Sequence, residues 1–147
     1  MLVDANVLLF AVDAQSRFHR AAAAWLEEVL NGPRRVGFPW LSLGAFLRLI
    51  TNPRVTASPL DGATAWQRVE DWLACDVAWV PLPTDRHADV LGGLIRRYDV
   101  RGNLMTDARL AALALEHGLT VCSADSDFAR FNEIEWLNPL AAGASDG

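Results

Sequence analysis

The chain has 147 residues, 52% of them hydrophobic, enough for one compact domain with a substantial apolar core. Its 13 basic and 18 acidic residues give a formal charge of −5, which excludes a protein that coats nucleic acid by bulk electrostatics; any such contact must be local. All the basic residues are arginine, a composition that suits bidentate phosphate contacts but that a GC-rich genome also produces without selection for them.

The opening stretch, MLVDANVLLFAVD, has no basic leader and carries an acid within its apolar run, so it reads as neither a signal peptide nor a membrane span, and a cytoplasmic location is expected. The run predicts a strand ending near Asp4 and then a short helix. Ser16 is placed to cap a helix from about Arg17 to Leu30, with Phe18, Ala21, Ala22, Trp25, Leu26 and Val29 on its apolar face and Asn31-Gly32-Pro33 as its stop. Arg35 to Pro39 predicts a short strand, Ser42 to Ile50 a second helix ended by Asn52-Pro53, and Asp61 the cap of a third helix through about Leu73.

Val77 to Leu82 follows as a strand broken by Pro81 and Pro83. Thr84 or Asp85 can cap a helix to about Arg97, and Thr106 a further one closed by Gly118. Leu119 to Cys122 predicts a strand, Phe128 a helical turn, and Ile134 to Leu137 a last strand. Alternating strands and helices, the strands short and continuously apolar, point to an α/β fold around a mostly parallel sheet. Residues 1–140 form one domain in this reading, and Ala141 to Gly147 a disordered tail. Cys75 and Cys122 are too few and too far apart for a disulfide framework or a zinc knuckle, and His19, His87 and His117 lack ligand spacing.

Asp4 and Asp125 both sit where an apolar strand ends, and the crevice beyond the carboxyl ends of the strands is where open α/β sheets bind ligands. Asp107 opens a helix whose Leu110, Ala111 and Ala114 read as core, which aims it inward. Singly, each acid also has a plain structural reading, as a first-turn acid, a turn residue or a strand-end cap. Three converging carboxylates would repel one another unless a divalent cation neutralised them, and hard oxygen donors suit Mg²⁺ or Mn²⁺. Asp127, two residues past Asp125, is a further ligand candidate.

The segments VDANVLL, LRLITNPRV, TDARLAALALEHG and VCSADSDF, in that order and spacing, resemble the PIN-domain ribonucleases, specifically the VapC-type toxins of toxin–antitoxin pairs, from about Leu2 to Leu137. The resemblance implies a PIN-like three-layer α/β/α fold with a short, mostly parallel central sheet. It also implies Mg²⁺- or Mn²⁺-dependent cleavage of RNA, homodimerisation and inhibition by a small cognate VapB-type antitoxin. The family's acids fall on Asp4, Asp107 and Asp125, as metal ligands and catalytic residues, while Asn6 and Ser123 match the polar residue and small hydroxyl that accompany them and are candidate substrate contacts. One position departs from the pattern: Ala45 stands where many members carry a glutamate, which bears on whether one metal ion or two are held.

The mechanism so implied is hydrolysis of an RNA phosphodiester by metal-activated water, with Arg48 and Arg109 as candidate phosphate contacts. Two rivals stand beside it. One is a catalytically weak RNA-binding regulatory protein that keeps the fold; the other is a phosphatase with Asp4 as nucleophile, disfavoured because Asn6 occupies the place of its usual second aspartate.

Overall fold

Consecutive side chains on a strand leave opposite faces of a sheet. The computed structural model, which describes residues 1–141, shows the consequence at strand β1 (Leu2–Val3), where the two neighbours are buried in two different cores. Val3 packs with Val7, Leu26, Phe46 and Val69 from helices α1 (Ala5–Val12), α2 (His19–Leu30), α3 (Trp40–Ile50) and α4 (Gly62–Leu73). Leu2 packs with Leu94, Leu110, Ala111 and Phe128 from α5 (His87–Tyr98), α6 (Leu104–His117) and a 3-10 helix over Ser126–Arg130. Helices therefore cover both faces of the sheet, giving the three-layer α/β/α fold.

The remaining strands are β2 (Val36–Gly37), β3 (Ala78–Trp79), β4 (Val121–Cys122) and β5 (Trp136–Leu137), in the order β3-β2-β1-β4-β5. Every pairing among them is parallel. Each ladder is short, and β1 is held by Leu2 N–H to the Thr120 carbonyl at 2.8 Å and Asp4 N–H to the Cys122 carbonyl at 3.0 Å. Gly37 permits the approach of the other neighbour: a Cβ there would stand 2.8 Å from Pro81 Cγ and 3.1 Å from the Met1 carbonyl oxygen. Because β2 and β3 lie on one side of β1 and β4 and β5 on the other, the strand order reverses at β1, and a crevice opens beyond the carboxyl ends of β1 and β4.

Several helix boundaries differ from expectation, each for a local reason. Ser16 Oγ accepts from Phe18 N–H and so caps the turn before α2, which starts at His19; Ala21, expected on the apolar face, is exposed, whereas Ala22 and Leu26 are buried. Thr84 Oγ1 accepts from Arg86 N–H and donates to Glu116, and α5 begins only at His87. Helix α3 begins at Trp40, two residues before Ser42, and α6 begins at Leu104, which leaves Thr106 inside the helix and Asp107 in its first turn. Asp61 caps α4, accepting from Thr64 N–H at 2.7 Å, and Gly118 ends α6 at φ 64°, both as expected. The tail expected from Ala141 lies, beyond that residue, outside the described residues. No helix among the described residues is long and apolar enough to cross a membrane.

Candidate active site at the strand ends

Asp4 leaves β1 as the N-cap of α1, its Oδ1 accepting from Ala5 N–H at 2.7 Å. Its Oδ2 accepts from Ser123 Oγ at 2.7 Å and from Asn6 Nδ2 at 3.4 Å. Ser123, the residue after β4, is fully buried, and its single hydroxyl serves three partners: it donates to Asp4 and accepts from Asn6 Nδ2 at 3.1 Å and from Asp125 N–H at 3.0 Å. Asn6 Oδ1 accepts from Ala124 N–H at 3.2 Å, and the Trp136 indole N–H on β5 donates to the Ser123 carbonyl at 2.9 Å. Two loops more than a hundred residues apart in sequence are thereby stitched together. Asn6 and Ser123, singled out as substrate contacts, are engaged in that seam.

Burial pushes the Asp4 carboxyl above its ordinary pKa; the hydrogen bonds from Ser123 and Ala5 work against this, and the nearby Asp125 charge adds to it. Beside it, Asp107, Asp125 and Asp127 each bring a carboxylate oxygen to within 4.8 Å of the others. Asp107 comes from the first turn of α6, while Asp125 is the N-cap of the 3-10 helix and accepts from Asp127 N–H at 2.9 Å. That Asx turn is what folds Asp127 back toward its neighbour. The Asp107 carboxyl is pushed up to about 7, first by burial, then by the charges of Asp125, Asp4 and Asp127, with Arg130 opposing. Arg130 lies 3.7 Å from Asp127 and is the local counter-charge.

Four neighbouring acids, whose charges raise the proton affinity of Asp107 and of Asp4, face one arginine and form a donor set that fits a hard divalent cation. Asp107, Asp125 and Asp127 are placed to hold such an ion, with Asp4 alongside. In sequence alone Asp127 is a weaker ligand candidate than the other three; its signal is the aspartate pair two apart in SADSD, which an Asx turn brings together. No sequence motif ties Arg130 or Trp136 to the acids; both enter the site only through the fold. Arg48 is exposed on α3, and Arg109, exposed on α6, lines a separate cavity with Trp40 and His87; among the described residues neither pairs with these carboxylates. Ala45 is half-buried on α3, a helix packed against α1, and its methyl group supplies no ligand.

The family model described as "PIN domain" matches residues 1–134. Ribonuclease VapC37 of Mycobacterium tuberculosis is 45% identical over 140 residues, an overlap of 95% of this chain and 97% of that protein. Among solved structures, Mycobacterium tuberculosis VapC20, described as a sarcin-ricin loop cleaving toxin, superposes with a TM-score of 0.67 at 19% identity, covering 91% of this chain and 96% of that one. A chain of a toxin–antitoxin complex from Klebsiella pneumoniae superposes with a TM-score of 0.62 at 18% identity, covering 94% of this chain and 96% of that one. At those identities the two structures speak for the fold.

Proposed function

The chain belongs to the PIN-domain family, and from that membership we propose that it is a Mg²⁺- or Mn²⁺-dependent endoribonuclease, the toxin of a toxin–antitoxin pair, which hydrolyses RNA phosphodiesters in the cytoplasm and so arrests growth. The observation that carries this reading is the convergence of Asp107, Asp125 and Asp127 within 4.8 Å, with Asp4 beside them. Single strand-end acids are ordinary caps, but a cluster that drives Asp107 to about 7 is costly for the fold and is explained by a ligand that relieves it.

In this mechanism the chain's own residues do the holding. Asp107, Asp125 and Asp127 would hold the ion, and Asp107 would have to give up its proton to do so. Asp4 adds negative charge at a position set by Ser123 and Asn6, whose hydrogen bonds keep its carboxylate from turning away. A bound divalent ion supplies Lewis-acid polarisation of a phosphoryl oxygen and lowers the pKa of water. The ladders of β1 and β4 fix where the loops carrying Asp4 and Asp125 begin, so the acids are presented from a rigid crest.

A partner follows from the same charge. A small antitoxin that lays an apolar helix over exposed apolar surface and brings a basic residue to the carboxylates would occlude and neutralise the site. The same apolar content supports a homodimer, read by light scattering at micromolar concentration.

The test is cleavage of a total RNA pool with Mn²⁺ or with EDTA. Wild type is expected to cut only with metal, and Asp4→Asn, Asp107→Asn and Asp125→Asn each to lose at least a hundredfold in rate while remaining folded. One observation favours the second reading, a regulatory RNA-binding protein: Ala45 withholds an acid that many relatives carry. RNA bound but left intact at saturating Mn²⁺ would decide for that reading.

A further inference from the structure

A cavity of about 190 Å³ lies beyond the ends of β2 and β3, lined by Trp40, Leu41, Leu82, His87, Arg109 and Leu113 among others. Since β2 is the immediate neighbour of β1, this cavity shares the rim that carries Asp4, and with strands about 4.8 Å apart it lies on the order of one or two nucleotide lengths from the carboxylates. Arg109 reaches it from α6, two residues past Asp107.

Two of its walls are fixed by interactions that the carboxylate cluster does not use. Trp40 stacks on Trp66 with ring centroids 6.3 Å apart and planes 10° from parallel, yet both indoles stay exposed, Trp40 by 49%. His87 is held by Glu116, whose side chain is fully buried and accepts from His87 Nδ1 at 2.6 Å, from Thr84 N–H at 2.8 Å and from Thr84 Oγ1 at 2.6 Å. A carboxylate is expensive to bury, and here it fixes one imidazole at the wall of a cavity. With Nδ1 so engaged, Nε2 is the polar atom of His87 left without a partner among the described residues. Arg109 likewise has no ion pair among them.

A braced indole, an unpaired guanidinium and an oriented imidazole around one concave site match the chemistry of a single unpaired nucleotide, which offers a flat base and an anionic backbone. We propose that this cavity is a nucleotide subsite of the RNA-binding surface: the base lies against Trp40, Arg109 takes a phosphate, and His87 bonds the ribose-phosphate backbone. The subsite holds an unstacked nucleotide next to the scissile position and selects for single-stranded or looped RNA. The inference rests on the ribonuclease reading, since it places this nucleotide on the strand that passes the carboxylates.

The test is equilibrium binding of a fluorescein-labelled six-nucleotide single-stranded RNA in EDTA, read by anisotropy, with light scattering on the same samples and cleavage kinetics in Mn²⁺. Trp40→Ala and Arg109→Ala should each weaken binding roughly tenfold. Trp40→Phe should keep most of the affinity, and Arg109→Ala should also reduce the salt slope by about 1. In cleavage the alanine variants should raise KM more than they lower kcat. Unchanged affinity in Trp40→Ala and Arg109→Ala, with metal-dependent cleavage intact, overturns the subsite and leaves the nuclease reading standing. Binding that depends on Trp40 and Arg109 in a protein that cleaves nothing upholds the subsite and discards the nuclease reading. If Trp40→Ala instead converts a dimer to a monomer without weakening RNA binding, the cavity is a subunit interface and the proposal is wrong.

Discussion

Asp107→Asn should make the metal-free protein more stable at pH 8, and by only about a third as much at pH 5. The Asp107 carboxyl is raised from 3.8 to about 7, so between those values the unfolded chain has released its proton and the folded chain has kept it. Stability therefore falls as pH rises through this window, and above pH 7 the full penalty of an ionised Asp107 is present. Three pKa units at about 1.36 kcal/mol each set an upper bound of about 4 kcal/mol. The group is only partly buried, and solvent screening brings the expected cost down to about 1–2 kcal/mol. For a chain of this size that corresponds to a gain of about 3–8 °C in Tm for the asparagine variant at pH 8 in EDTA. Thermal melts of both proteins at pH 5 and pH 8, in EDTA and in Mn²⁺, measure it; comparing variant with wild type cancels the other titrating groups. Mn²⁺ should raise the wild-type Tm at pH 8 and do much less for the variant, because binding to the folded state alone is what shifts the equilibrium. An asparagine variant that melts below wild type at pH 8 in EDTA would show that Asp107 is stabilised as an anion, and the reasoning from crowded carboxylates would fall.

Ser123→Ala should cost about 1–3 kcal/mol in urea unfolding, since it strips Asp4 Oδ2 of its short hydrogen bond and leaves the Asp125 amide without its acceptor. Ala45→Glu should tighten Mn²⁺ binding in calorimetric titration; an unaltered isotherm would place that face of α3 away from the acids. Gly37→Ala should destabilise the fold by about 1–3 kcal/mol, because the added methyl meets Pro81 at 2.8 Å and the backbone of Met1 at 3.1 Å, and denaturant midpoints would register it directly.

The sequence exposed the parts of the site whose cause is local. An aspartate breaking an apolar run at position 4, another just past the late strand at 125, and a first-turn acid on a helix with an apolar face are each visible in a short window, and the structure brings all three to one crest. Alternating apolar segments likewise revealed the α/β class. What stayed hidden is non-local or depends on competition between hydrogen bonds. Ser16, Thr84 and Thr106 look alike as helix caps, yet one caps a preceding turn, one is diverted to Glu116, and one lies inside a helix that starts earlier. The burial of Ser123 depends on Trp136 and Asn6 closing over it, and the His87–Glu116 pair joins residues 29 apart with no motif between them.

The pairing of β1 also has a consequence for biosynthesis. The strand that bears Asp4 is made at the very start of this chain, finds its β2 neighbour once Gly37 has emerged, and must wait for Val121 and Cys122 before its other edge is closed. Residues of the acidic cluster at 125 and 127 follow later still. A ribosome that has made the first hundred residues holds two helical layers in the making and a single one of the four carboxylates, so a ribonuclease built on this site would have no means, through most of translation, of attacking the RNA of the machine that is synthesising it. On the proposed function, the site is complete only once Asp125 and Asp127 have emerged, and an antitoxin would be needed from that moment rather than earlier.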